Sequence, residues 1–247
     1  MSSSNFFTTI TISLTLALIL HSSFAFNSPL SYICSTTENF TSSTPYESNL
    51  KTLVNSLIYK TPSTGFGVGS VGQTQYQNQR AYGLSLCRGD VSTSECKTCV
   101  LEATKEIQNL CPYNKGAIIW YDNCMFKYSD IDFFGKIDNS SKFSLLNVQS
   151  VNDPIKFNSV TKDLLSLLAY EAYMDKKMYA NGELKIGESE RVYGQAQCTR
   201  DLSSVDCKKC LDDVISELPN CCDGKKGGRV VGGSCNVRYE IYSFVRE

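Results

Sequence analysis

Histidine is all but missing from this chain. The single one, His21, lies in an N-terminal stretch with no Asp, Glu, Lys or Arg through residue 25. Phe6 to Leu20 is apolar apart from Thr and Ser, and too short to cross a bilayer comfortably. It runs into Ser22-Ser23-Phe24-Ala25, where Ser23 and Ala25 suit a signal peptidase. Residues 1–25 therefore read as a secretory signal peptide, and an uncleaved anchor would put the rest in the same compartment. Cleavage takes His21 away. A chain without histidine has no base for Ser-His-Asp or Cys-His catalysis and no imidazole for zinc. Asp, Glu and Lys remain, but no short constellation of them stands out, so a non-enzymatic protein without cofactor or metal is expected.

Net charge is also lacking, at -1 for 247 residues. Nothing draws the chain as a whole to nucleic acid or anionic lipid. After residue 25 no stretch is apolar for long enough to span a membrane. The expected product is released outside the cell.

Cysteine, in contrast, is abundant: twelve residues, all after residue 25. In an oxidising compartment that number reads as a disulfide framework, not as zinc held by the CxxC pairs. The spacing Cys87-x8-Cys96-x2-Cys99 recurs 111 residues later as Cys198-x8-Cys207-x2-Cys210. At the same offset Cys111 maps to Cys222, Cys124 to Cys235, Tyr82-Gly83 to Tyr193-Gly194, and Tyr46 to Phe157. A period this long marks a duplicated domain instead of a solenoid. The division is 26–137, a polar linker at 138–142, and 143–247. Asn39-Phe40-Thr41 and Asn139-Ser140-Ser141 are acceptor sequons in a secreted chain.

Tyr46 to Lys60 carries Leu50, Leu53, Val54, Leu57 and Ile58 at helical spacing, with Thr61-Pro62 as its stop. Gly67, Gly69 and Gly72 spell G-x-G-x-x-G, but they follow a helix and lack a βαβ setting, so a flexible hairpin loop is expected there. Gln79 to Cys87 reads as a strand. Ser92 to Glu95 caps a helix to about Leu110, and Ala117 to Tyr128 is strand-rich. The second copy repeats the order: a helix over 157–178, a strand over 193–198, a helix over 204–218 and strands over 229–244. Each domain becomes an α+β unit, an antiparallel sheet with two helices packed on one face.

The doubled C-x8-C-x2-C behind a signal peptide resembles the plant cysteine-rich repeat secretory proteins. Their unit is the ginkbilobin-like, or stress-antifungal, domain, also called domain of unknown function 26. Gly224-Lys225-Lys226-Gly227-Gly228-Arg229 and the stretch from Ser234 to Tyr242 add to the likeness. The family also holds receptor kinases and plasmodesmal membrane proteins. A chain stopping at Glu247 without membrane helix or kinase resembles the secreted branch, found in the apoplast.

Six cysteines allow fifteen pairings. The resemblance implies Cys34–Cys111, Cys87–Cys96 and Cys99–Cys124 in the first domain, with Cys198–Cys207 and Cys210–Cys235 in the second. A loop the length of Cys99–Cys124 adds on the order of 3 kcal/mol. Leu145 or Leu146 takes the place of Cys34, so Cys222 lacks its partner and has Cys221 beside it. Either the two form a vicinal bridge, or they stay free or pair between molecules.

Ginkbilobin-type domains bind mannose through an Asn, an Arg and a Glu. Those positions read Ser35, Ile118 and Ser129 in the first domain, and Asn147, Arg229 and Glu240 in the second. The resemblance thus implies a sugar site in the second domain alone, chemically suited to a ring of hydroxyls. Arg229 and Glu240 fall on neighbouring strands, where they could pair and hold each other in place. The same pair as a plain cross-strand ion pair is the structural alternative. Lys225, Lys226, Arg229 and Arg238 form the densest basic cluster, read as a solvated turn or as a surface for an acidic wall polymer. Two classes of function follow: a lectin-like defence protein that binds mannose-containing glycans, or an interaction module that docks on a receptor ectodomain or on a second copy.

Overall fold

The computed structural model describes residues 28–35, 39–73, 79–187 and 190–246. The signal-peptide assignment and His21 lie outside these. In the first half, β1 (Ser31–Cys34), α1 (Pro45–Thr64), β2 (Phe66–Val71), β3 (Ala81–Cys87), α2 (Thr93–Leu110), β4 (Ala117–Trp120) and β5 (Cys124–Ser129) follow in order. The second half repeats this with β6 (Lys142–Leu146), α3 (Pro154–Met174), β7 (Tyr179–Lys185), β8 (Arg191–Cys198), α4 (Ser204–Ser216), a short α5 (Leu218–Cys222), β9 (Gly227–Gly232) and β10 (Cys235–Glu240).

The helices begin where their caps allow. Thr44, Ser92, Asp153 and Ser203 each accept a bond from the backbone N–H three residues on, and Ser92 completes a capping box with Glu95. Pro62 does not stop α1. It lies in the last turn, where proline forfeits only the bond to the Ile58 carbonyl, and Gly65 caps the end at φ 76°. The helix expected to reach 178 ends at Met174, and the one expected to reach 218 breaks after Ser216, before Pro219 in α5.

Each half holds a five-stranded antiparallel sheet, ordered β1-β4-β5-β3-β2 and β6-β9-β10-β8-β7. Two long helices cover one face, as the α+β reading anticipated. The outer strands β1, β2, β6 and β7 were not expected. The glycine run is not a loop: Gly67 and Gly69 lie in β2, and a Cβ on Gly67 would collide with the Thr61 hydroxyl of α1. Glycine there lets the helix lie against the strand.

Phe126, Leu53, Leu57 and Ile107 fill the helix-side core of the first half; Leu164, Leu165, Leu168 and Leu211 fill that of the second. Six disulfides brace them: Cys34–Cys111, Cys87–Cys96, Cys99–Cys124, Cys198–Cys207, Cys210–Cys235 and the vicinal Cys221–Cys222. Cys34 stands opposite Ala117, and Leu146 opposite Gly228, so Leu146 is the residue in place of Cys34.

Strand alternation turns every second side chain away from the helices, and those faces meet between the halves. Leu84, Leu86, Ile118, Trp120, Met125 and Val231 form a third buried cluster with members from both sheets. This is why Ala117–Trp120 is buried at every position. Trp120 donates its indole N–H to the Gly232 carbonyl at 3.1 Å and sits edge-on to Phe143, while Gln197 donates to the Cys87 carbonyl at 3.0 Å. The polar stretch 138–142 is held as well. Asp138 pairs with Lys127 at 2.6 Å, and its backbone N–H donates to Ser234. Burial pushes the Asp138 carboxyl up, but the Lys127 ammonium and bonds from Ser140 and Ser141 hold it well below the usual range.

Candidate functional site

Asn147, Arg229 and Glu240 line one cavity of about 290 Å³, at the seam between the halves. Arg229 projects from β9 on the face away from the helices, because its neighbour Val230 points into the core. Glu240 ends β10. Asn147 directly follows β6, held by its N–H on the Gly227 carbonyl at 2.9 Å, while its Oδ1 accepts from the Gln149 N–H at 3.0 Å. Gly227 makes room: a Cβ there would run into the Glu240 carboxylate.

Arg229 and Glu240 do not pair with each other. Arg229 donates to Asp122 Oδ1 at 2.7 Å, and Asp122 belongs to the turn between β4 and β5 of the first half. Glu240 accepts instead from Arg238, at 3.2 Å. The reason is register. Arg229 stands opposite Arg238, and Glu240 opposite Gly227, so the closer cation to Glu240 is its own strand's arginine two residues back. Arg238 also lies 3.7 Å from Asp122 and stacks on Phe244 at 4.2 Å.

Arg229 is 8% exposed. Burial weakens its hold on the proton, and Asp122 opposes that effect. Its Nε, like Glu240 Oε2, is buried without a hydrogen-bond partner. Both atoms are closed off behind the cavity wall, and the carboxylate of Asp122 is the exposed charge of the group. Among the described residues no group of three or more His, Cys, Asp or Glu is placed to hold a metal, and no helix is long and apolar enough to cross a membrane.

The basic cluster read from the sequence divides in two. Lys225 and Lys226 lie near the surface, bonded to Ser150 and Gln149. Arg229 and Arg238 turn inward onto carboxylates. Of the counterpart residues in the first half, Ile118 is buried in the cluster between the sheets. Asp122 and the pairing role of Arg238 were missed. No local signal connects Asp122 to Arg229, 107 residues away. Both sequon asparagines, Asn39 and Asn139, are exposed.

Known proteins share this fold. The family described as salt stress response/antifungal matches residues 33–131 and 146–242. The chain belongs to this family. Both matches cover one sheet with its helices, so the family unit occurs twice. Among its relatives, an antimicrobial ginkbilobin-2-like protein of Castanea crenata is 61% identical over 217 residues, which is 88% of this chain and 89% of that protein. Cysteine-rich repeat secretory protein 38 of Arabidopsis thaliana is 53% identical over 223 residues, 89% of this chain and 87% of that one. The crystal structure of the tandem DUF26 ectodomain of the Arabidopsis cysteine-rich receptor-like protein PDLP8 superimposes with a TM-score of 0.76 at 29% identity, covering 88% of this chain and all of that one. The same ectodomain of PDLP5 gives 0.74 at 28%. As a member of the salt stress response/antifungal family, the chain shares the tandem fold of receptor-like ectodomains.

Proposed function

We propose that this chain is a secreted, non-enzymatic recognition protein of plant defence, and that its second half binds mannose-type glycans in the cleft of Asn147, Arg229 and Glu240. The observation that carries this is the cleft itself. Asn147, Arg229 and Glu240 face one cavity large enough for a hexose, and behind its wall Arg229 Nε and Glu240 Oε2 are buried unpartnered. A sugar hydroxyl both donates and accepts, so one ring can meet an unfilled donor and acceptor together. A small shift of either side chain would open those atoms to the ligand. Six disulfides fit extracellular residence in the apoplast, and the antimicrobial name of the Castanea crenata relative fits a defensive role. The exposed sequon asparagines fit N-glycosylation.

Titration of the oxidised chain with mannotriose tests this. Glu240→Ala is expected to weaken binding by about tenfold, the loss of one charge-assisted hydrogen bond. Unchanged binding would move the ligand elsewhere.

Likeness to receptor-like ectodomains favours a second reading, docking on a receptor ectodomain or on another copy. Leu145, Leu146 and Val148, exposed along the β6 edge, would supply the contact. A blank glycan array with a captured receptor ectodomain would select it.

A further inference from the structure

The cleft is lined by two arginines, yet it carries no excess charge. Arg229 and Arg238 stand directly opposite each other on β9 and β10, an arrangement in which like charges repel. Two carboxylates answer them. Glu240 takes Arg238 from one side. Asp122 reaches in from the first half to bond Arg229 at 2.7 Å and to approach Arg238 at 3.7 Å. The order across the cleft is Glu240, Arg238, Asp122, Arg229, acid and base alternating. Only Asp122 is mostly open to solvent, with its side chain 58% exposed.

We propose that Asp122 is a specificity-determining residue: lent by the first half, it cancels the arginine pair and makes the cleft select uncharged polyols over acidic sugars. This rests on the glycan reading above. Without the Asp122 carboxylate, two guanidinium groups would face the cleft with only Glu240 to balance them. One of them is 8% exposed, and a buried, poorly hydrated guanidinium is an anion site. A uronate would then take the place of Asp122 on Arg229. With it present, an entering carboxylate must displace a bonded one and meet its repulsion. The selecting residue and the sugar-binding residues therefore come from different halves, and the seam belongs to the site.

The test is titration of the oxidised full chain, as wild type, Asp122→Asn, Asp122→Glu and Asp122→Asn/Arg229→Gln, with mannotriose and with trigalacturonate. Asp122→Asn is expected to gain trigalacturonate affinity by about fifteenfold at low ionic strength, the effect of one unit charge at roughly 10 Å with an effective dielectric near 20. That gain should shrink at physiological salt. Asp122→Glu, which keeps the charge, should behave as wild type. The double variant, with both ends of the bond neutral, should keep its melting temperature and lose the gain. Equal trigalacturonate affinity in wild type and Asp122→Asn would overturn the proposal, as would a gain that survives Arg229→Gln or appears with Asp122→Glu. Mannotriose separates the two readings: if wild type ignores it, the neutral-glycan reading fails, while the trigalacturonate comparison still decides the role of Asp122.

Discussion

Trp120→Ala should uncouple the two halves while sparing their helix-side cores. Trp120 is 2% exposed, packs against Phe143 and belongs to the cluster shared by both sheets, not to either cluster under the helices. Truncating a buried tryptophan removes about 3–5 kcal/mol. The Gly232 carbonyl, which now accepts the indole N–H at 3.1 Å, loses its donor for about 1 kcal/mol more. For a chain of this length each kcal/mol moves the melting temperature by about 2–4 °C, so the first transition should fall by roughly 10–20 °C. Because the lost contacts lie between the halves, differential scanning calorimetry should also show one transition becoming two. Trp120→Phe keeps most of the apolar volume and loses only the donor, so it should fall by a few degrees. A single transition lowered by less than about 3 °C in Trp120→Ala would refute the coupling.

Four other outcomes are expected. Opening Cys34–Cys111 by paired substitution with Ser should cost about 4 kcal/mol in denaturant melts, since that bridge closes 77 residues, whereas opening Cys221–Cys222 frees almost no chain entropy. Thr161→Leu should raise stability by about 1 kcal/mol: its hydroxyl is buried without a partner beside a cavity of about 360 Å³, and Leu50 fills the matching place in the first half. Asp138 has a folded pKa below its unfolded one, so its contribution is complete above about pH 4 and fades as pH falls through the folded value; Asp138→Asn should flatten that acid limb in pH-dependent melts. Peptide mapping without reduction should return residues 221 and 222 in one disulfide-bonded peptide, and alkylated Cys221 would contradict the bridge.

Helices and central strands were legible because their signals are local. Leu50, Leu53, Val54 and Leu57 repeat at helical spacing, Ser92 with Glu95 caps α2, and five cysteines recur at one offset. The edge strands were not, because their residues answer to partners elsewhere. β2 is glycine-rich since α1 lies on it, and β6, with Leu145 and Leu146 exposed, has no alternating pattern to read. Pro62 looked like a stop, but a proline in the last turn costs little. In the candidate site the residue types were visible and their pairing was not. Arg229 and Glu240 are neighbours by strand order, yet register sends Glu240 to Arg238, and Arg229 takes a carboxylate from the other half.

The facing surfaces of the two sheets differ in character. One presents Leu84, Leu86, Ile118 and Trp120; the other answers with Gln195, Gln197, Arg229 and Asn236. Each copy has become the lock for the other's key, and neither would mate with its own likeness. A chain built from two first halves would set Leu84, Leu86 and Ile118 against their own likeness, with no Gln197 or Arg229 across the seam. One built from two second halves would bury arginines with no Asp122 to meet them. The two halves are thus complementary across the seam and not interchangeable.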